Sequence, residues 1–265
     1  RKRYQVHLLP FHIILGEKEY LDNVTITAKD VFKTYQEKKF LSKTAAISVG
    51  ECYDYFKQWT DQGYQVIHLN LGGALSTTHQ NCQIAAGMLN GVYPVDSHNL
   101  STGIGHLVIE AAEMIEKGRS ASDIVKQLNQ MAGRVHSSFI LDTLEYMAAG
   151  GRCSMITSMG ANLLRLKPCI EVDNQSGSMR VGKKYRGNLS DVLVRYTKDK
   201  LGSCAKINTK RIFITYSSME EKNVDLVEKA IQEILPFQEI YRTHASCTIS
   251  CHCGPNTLGI LFMTE

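Results

Sequence analysis

No stretch of about 18 consecutive apolar residues occurs in the sequence, so an ordinary membrane-spanning helix is excluded. The longest early apolar run, Leu8 to Leu15, is broken by Pro10 and His12 and reads as a buried strand. Charge of one sign is also scarce. The net charge is +4, the basic residues are dispersed, and no basic stripe is interleaved with aromatics, so nucleic acid is not an expected partner. A Gly-x-Ser-x-Gly elbow is missing, which removes the usual mark of a hydrolase nucleophile. The Gly-x-x-x-x-Gly-Lys-Ser/Thr loop that cradles nucleotide phosphates is missing as well. Gly103-Ile104-Gly105 lacks the third glycine of a dinucleotide fingerprint. No internal repeat or low-complexity linker divides the chain.

What is present is a chain of 265 residues, long enough to bury a sizeable core as one large domain or two modest ones. Its eight cysteines are irregularly spaced, and a chain of this length needs no disulfide staples. Reduced thiols in a cytoplasmic protein are the expectation. Cys247, Cys251, His252 and Cys253, with His244 nearby, raise the idea of zinc. Read as a strand over 246–252, however, the segment sends Cys251 and Cys253 to one side and His252 to the other. No second Cys-x-x-Cys pair completes a tetrahedral set, so no metal is expected.

The first half alternates strands and helices. Strands are expected at 6–15, 65–71, 92–96 and 139–141, and helices at 29–37, 49–59, 76–89 and along the apolar faces that begin at Leu107 and Ile124. Thr27, and Ser120 with Asp123, supply helix starts. In the second half, 169–172 and 179–183 flank a turn-rich segment and form an antiparallel hairpin. Asn188 with Asp191 opens a helix, 211–216 is a strand, and Val224, Val227, Ile231 and Ile234 mark another helical face. Strands at 238–243, 246–252 and 258–263 close the pattern. The expected fold is α/β with two domains: a parallel-sheet α/β domain over 1–145 and a mixed α+β domain over 146–265, with a cleft between them.

The richest candidate segment is Gly72-Gly73-Ala74-Leu75-Ser76-Thr77-Thr78-His79-Gln80. A strand ends in two glycines, and three hydroxyl residues then open a helix. Backbone N–H groups and the helix dipole favour an anion there, and Ser76, Thr77 and Thr78 add donors. The competing reading makes Ser76 or Thr77 a simple N-cap, and on this segment alone it is the better one. Thr44 and Ser48 lie in what reads as a loop before a helix. Arg152 follows the Gly150-Gly151 turn, and its guanidinium suits a carboxylate or phosphate. Lys183, Lys184 and Arg186 form the densest basic group after residues 1–3, a contact for a small anion or acidic partner. His252 stands just before the turn Gly254-Pro255-Asn256, where it can reach a cleft.

Taken in order, these segments resemble the DegV family of bacterial fatty-acid-binding proteins, the acyl-binding subunits of fatty acid kinase. Gly16-Glu17-Lys18-Glu19-Tyr20-Leu21-Asp22, Lys43-Thr44-Ala45-Ala46-Ile47-Ser48, Leu75-Ser76-Thr77-Thr78-His79-Gln80, Asp96-Ser97, Leu141-Asp142-Thr143-Leu144-Glu145-Tyr146, Gly150-Gly151-Arg152 and His252-Cys253-Gly254-Pro255 carry the likeness along nearly the whole chain. The resemblance implies a long-chain fatty acid as ligand, its tail in an apolar tunnel and its carboxylate at the domain junction, with no other cofactor. It implies a partner kinase that phosphorylates the bound carboxylate with ATP, and no catalysis by this chain. Carried over by motif, Thr44 and Ser76 hydrogen-bond the carboxylate, with Thr77 and Thr78 beside them. Arg152, Arg186 and His252 then lie near the head group or the kinase-docking surface. An esterase using Ser76 and His252 is the alternative. The sequence departs from the family at Ala46-Ile47, where Gln-Pro is usual, and at Asn256, where glycine is usual. It also starts after the region of the family's opening Asp-Ser-x-x-Asp-Leu strand, through truncation or because this member lacks it.

Overall fold

A computed structural model describes residues 3–150 and 166–265. The chain begins with a small antiparallel sheet. Strand β1 (His12–Leu15) turns at Gly16, whose φ of +66° favours glycine, into β2 (Lys18–Leu21). Strand β3 (Lys43–Ala45) pairs with the other edge of β1, giving the order β2-β1-β3. The parallel sheet expected across the first half is therefore smaller than its pattern implied. It consists of β4 (Val66–Asn70) and β5 (Val92–Asp96), joined through helix α3 (Thr78–Ala86). The segment 43–48, expected to be a loop, contributes β3 because its alternating contacts complete the β1 edge.

Capping explains the helix starts. Thr27 and Asp30 form a reciprocal capping box on α1 (Ala28–Lys38), and Ser48 and Glu51 do the same for α2 (Val49–Thr60). The Thr27 and Ser48 hydrogen bonds are the main reason the Asp30 and Glu51 carboxyls are held below their ordinary range. Helices α4 (Thr102–Glu116) and α5 (Ala121–Ala132) bury Leu107, Met114, Ile124 and Leu128 with Val95 of β5. Each such side chain withdrawn from water contributes roughly 1.5–3 kcal/mol.

Strand β6 (Val135–Ile140) enters a six-stranded sheet of order β10-β9-β11-β6-β7-β8. Short helix α6 (Glu145–Ala149) follows β6. The hairpin of β7 (Lys167–Val172) and β8 (Met179–Tyr185) forms as its turn residues foretell. Helix α7 (Leu189–Gly202) starts at the Asn188 cap. Strand β9 (Ile207–Ser217), helix α8 (Glu221–Ile234) and β10 (Glu239–His244) make a parallel crossover unit. Strand β11 (Thr257–Thr264) lies between β9 and β6, antiparallel to both. Fully buried Tyr196 of α7 sends its phenol beneath these strands, donating to the Ser138 carbonyl at 2.6 Å and accepting from the Ile260 N–H at 3.1 Å. Small parallel sheet and mixed sheet together make the α/β architecture.

One expectation fails outright. Residues 246–252 are not a strand. Ser246 caps helix α9 (Cys247–Cys253) by accepting from the Ile249 N–H at 3.4 Å. Serine at an N-cap outweighs the β-leaning Cys-Thr-Ile composition once the segment is enclosed. The alternation that placed Cys251 and Cys253 opposite His252 does not apply, and helical spacing governs instead.

Candidate functional site

Three segments meet around one cavity. The first is the turn after β4. Its two glycines answer to close backbone packing: a Cβ at Gly72 would sit 3.0 Å from the Asn99 nitrogen, and one at Gly73 would sit 2.7 Å from an Asp96 carboxylate oxygen. The Gly73 N–H donates to the Asp96 carboxylate at 3.1 Å, and the His98 N–H donates to it at 2.9 Å. That anchor sets the path of the chain into Ser76. Thr77 precedes α3 with helical backbone angles and makes no side-chain cap, so the simple-cap reading does not hold for it. Ser76 takes a related part, accepting from the Thr78 N–H at 3.2 Å while its Oγ lies 3.0 Å from Thr78 Oγ1.

The second segment is β3 with the residues after it. Thr78 Oγ1 accepts from the Ile47 N–H at 3.3 Å, and Asn81 donates to the Ile47 carbonyl at 2.7 Å. Both backbone groups of Ile47 are thus held by the first turn of α3, which fixes Thr44, Ala45 and Ala46 against the Ser76 turn. Buried Ile47 makes this junction with its apolar side chain as well. The family-atypical Ala46-Ile47 pair is therefore well anchored.

The third is α9. The Cys247 and Thr248 N–H groups both donate to the Asp22 carboxylate, at 2.8 Å and 3.0 Å. Cys247 and Cys251, one turn apart, turn into an apolar cluster with Ile13, Val31, Phe32 and Tyr146. Cys251 Sγ accepts from Ser42 at 2.8 Å, and Cys247 Sγ donates to the Ile26 carbonyl at 3.2 Å. Burial pushes the thiols of Cys247 and Cys253 up to about 12 and that of Cys251 to about 11. All three side chains are buried and face inward. Among the described residues no three metal-ligating side chains converge. His252 projects from the adjacent face, with Nε2 2.8 Å from Thr44 Oγ1. The helix ends at Gly254, whose φ of 76° and ψ of 178° belong to a region open essentially only to glycine.

Together with neighbouring apolar side chains, these segments line a partly open cavity of about 330 Å³. Its polar side chains are Thr44, Ser76, Thr77, Thr248 and His252, while Leu71, Leu75, Leu100, Phe139, Met147 and Met179 supply apolar wall. These six also belong to, or pack against, a single hydrophobic cluster, so the cavity is a gap inside a core with a hydroxyl-rich end. The volume falls at the small end of the range for ligand pockets, about 300–1,000 Å³. Lining residues come from both 1–145 and 146–265.

Of the residues expected from sequence, Thr44, Ser76, Thr77 and His252 are brought together. Thr78 faces the β3–α2 junction and does not line the cavity. Arg186 is exposed after β8, its carbonyl accepting from Arg195, and is likewise not among the lining residues. Arg152 lies outside the described residues. Sequence reasoning missed Thr248 as a lining residue: strand alternation put it on the side of His252 too, but no motif singled it out. It also missed the anchoring carboxylates Asp22 and Asp96, which reveal themselves only through contacts distant in sequence. Chemically, hydroxyl donors beside an imidazole suit an acceptor-only group such as a carboxylate, with an apolar chain beyond it. The pairing that a serine hydrolase needs is not the one formed: His252 Nε2 meets Thr44, and Ser76 meets Thr78.

The DegV family model, described as "Uncharacterised protein, DegV family", matches residues 1–265. A DegV domain-containing protein of Caldanaerobacter subterraneus is 28% identical over 263 residues, covering 98% of this chain and 92% of the relative. A DegV family protein from Thermus thermophilus, reported for fatty acid binding, superposes with a TM-score of 0.88 at 24% identity, covering 100% of this chain and 94% of its own. The Streptococcus pneumoniae Fatty Acid Kinase B3 protein, loaded with linoleic acid, superposes at 0.85 with 19% identity, covering 97% of this chain and 92% of its own. With a family match over its full span and the same α/β architecture, the chain belongs to the DegV family.

Proposed function

We propose that the protein binds a long-chain fatty acid and presents its carboxylate to a kinase subunit, performing no chemistry itself. The observation that carries this reading is the cavity: hydroxyls and an imidazole at one end, an apolar core cluster along the rest. Thr44 and Ser76 hydrogen-bond the carboxylate, with Thr77 beside them and His252 orienting Thr44 through their 2.8 Å contact. The tail lies among Leu100, Phe139, Met147 and Met179, between residues of the N-terminal division, 1–145, and of the C-terminal one, 146–265. Arg152 and Arg186 serve the head group or the partner surface. One solved relative with this fold is reported for fatty acid binding, and another is a Fatty Acid Kinase B3 protein loaded with linoleic acid; the first supports the ligand and the second both ligand and partner.

Each methylene withdrawn from water contributes about 0.8 kcal/mol before the costs of association, enough for micromolar or tighter binding. Native mass spectrometry of freshly purified protein tests the reading. A retained mass matching a long-chain acid, lost in Ser76→Leu, is expected. Protein that takes up no lipid after delipidation and refilling overturns it. The kinase role is tested separately, by acyl phosphate formation from the loaded protein, ATP and a fatty acid kinase subunit. No product in that reaction would leave a storage or transport protein.

A further inference from the structure

Among the described residues, Thr248 is a buried cavity-lining side chain whose hydroxyl has no protein partner. The residue is 7% exposed, its Oγ1 makes no hydrogen bond, and it borders the cavity. Two threonines inside other helices return the hydroxyl to the carbonyl one helical turn back. Thr34 donates to Asp30 and Thr197 to Leu193, each at 2.9 Å. Thr248 is the second residue of α9, so the residue one turn back is His244, the end of β10, and the helix offers no carbonyl there. Its backbone N–H, by contrast, is fixed on Asp22 at 3.0 Å. The side chain is thus placed firmly while its hydroxyl is left open to the cavity.

The helix sorts its residues by face. Thr248 and His252 are one turn apart and share a stripe, and Ile249 and Cys253 form the neighbouring stripe. Ile249 and Cys253 pack with Leu100 and Phe139 in the apolar cluster, so the tail end of the cavity lies on their side. His252 meets Thr44 at the polar end. The Thr248 hydroxyl therefore lies with the head-group residues.

From this placement we infer that Thr248 is a further hydroxyl of the head-group site, donating through Oγ1 to a carboxylate oxygen of the bound acid. The inference rests on the fatty-acid reading above. A carboxylate offers about four lone-pair sites, so Thr44 and Ser76 do not exhaust it. Burying an acceptor-only anion against an unpartnered donor satisfies both groups at once.

The test compares Thr248→Val, nearly the same shape without the hydroxyl, with the unaltered protein. Affinity for palmitate and for the alkane of equal length is read by competition in native mass spectrometry. The expected result is about tenfold weaker palmitate binding with alkane binding unchanged or tighter. Thr248→Ser, which keeps the hydroxyl, restores palmitate affinity and guards against a folding defect. Unchanged palmitate affinity in the valine variant overturns the inference, as does an equal loss for both ligands. An unaltered protein that takes up no palmitate overturns the fatty-acid reading and this inference with it, a result distinct from the other two.

Discussion

At the scale of single residues, the site is held by backbone that few side chains tolerate. Gly254 ends α9 two residues after His252, and a Cβ there would stand 2.6 Å from the Tyr146 ring. Its φ and ψ are closed to other residues as well. Gly254→Ala is expected to lower unfolding stability by about 1–3 kcal/mol, read by urea denaturation, and to weaken ligand binding through displacement of His252. Asn256, two residues on, has a φ of 57° and donates to Asp142 at 3.1 Å. Asparagine is among the few residues at ease there, which is why it can stand where the family usually has glycine. Thr44 and Ser76 were singled out from sequence by the ordered motifs, since the helix entrance by itself favoured a simple cap, and the fold brings both to the cavity. Thr248 was not, because no motif marks it and its open hydroxyl shows only once Asp22 holds its backbone N–H and the cavity beside it is formed.

At the scale of elements, α9 is the piece on which the site turns. Asp22 at the end of β2 holds its first two N–H groups, and Ser42 and Thr44 beside and within β3 meet Cys251 and His252. Asp22→Ala removes a charged acceptor from a helix start and is expected to cost about 1–2 kcal/mol. Amide hydrogen exchange should rise first across 247–253, and fatty-acid affinity should fall with it. Exchange confined to 18–22 would count against this coupling. Helices with a side-chain cap, such as α1 and α5, or a regular apolar face, such as α5 and α8, were readable from sequence. Short elements were not. β3 owes its extended form to β1, and α9 owes its coil to a serine cap and to Asp22, more than 200 positions earlier in the chain.

At the scale of the whole molecule, stability is linked to acid through histidines kept neutral inside. His106 is fully buried and donates from Nε2 to the Leu261 carbonyl at 3.0 Å, and burial depresses its pKa to about 4. Burial likewise lowers His68 to about 4. Unfolding returns each to an ordinary value near 6.5. The unfolded chain therefore binds more protons between about pH 6.5 and 4, and stability falls as pH drops through that window. The slope approaches about 1.4 kcal/mol per pH unit for each group. His106→Gln, which retains a donor, should flatten the fall by close to one proton, measured by chemical denaturation at several pH values. An unchanged slope would show that His106 is not the linked group. The α/β class was readable from alternating patterns at this scale. The strand order was not, because β11 inserts between β9 and β6 by pairing across long sequence distances.

The position of β11 has a consequence for how the protein is made. The strand that comes latest in chain order among the described elements is an inner strand of the six-stranded sheet, and α9 with Thr248 and His252 directly precedes it. A chain still on the ribosome can form the Ser76 turn and the β4–α3–β5 unit, but it cannot close the wall opposite. On the fatty-acid reading, lipid capture therefore waits until the chain has been made through β11.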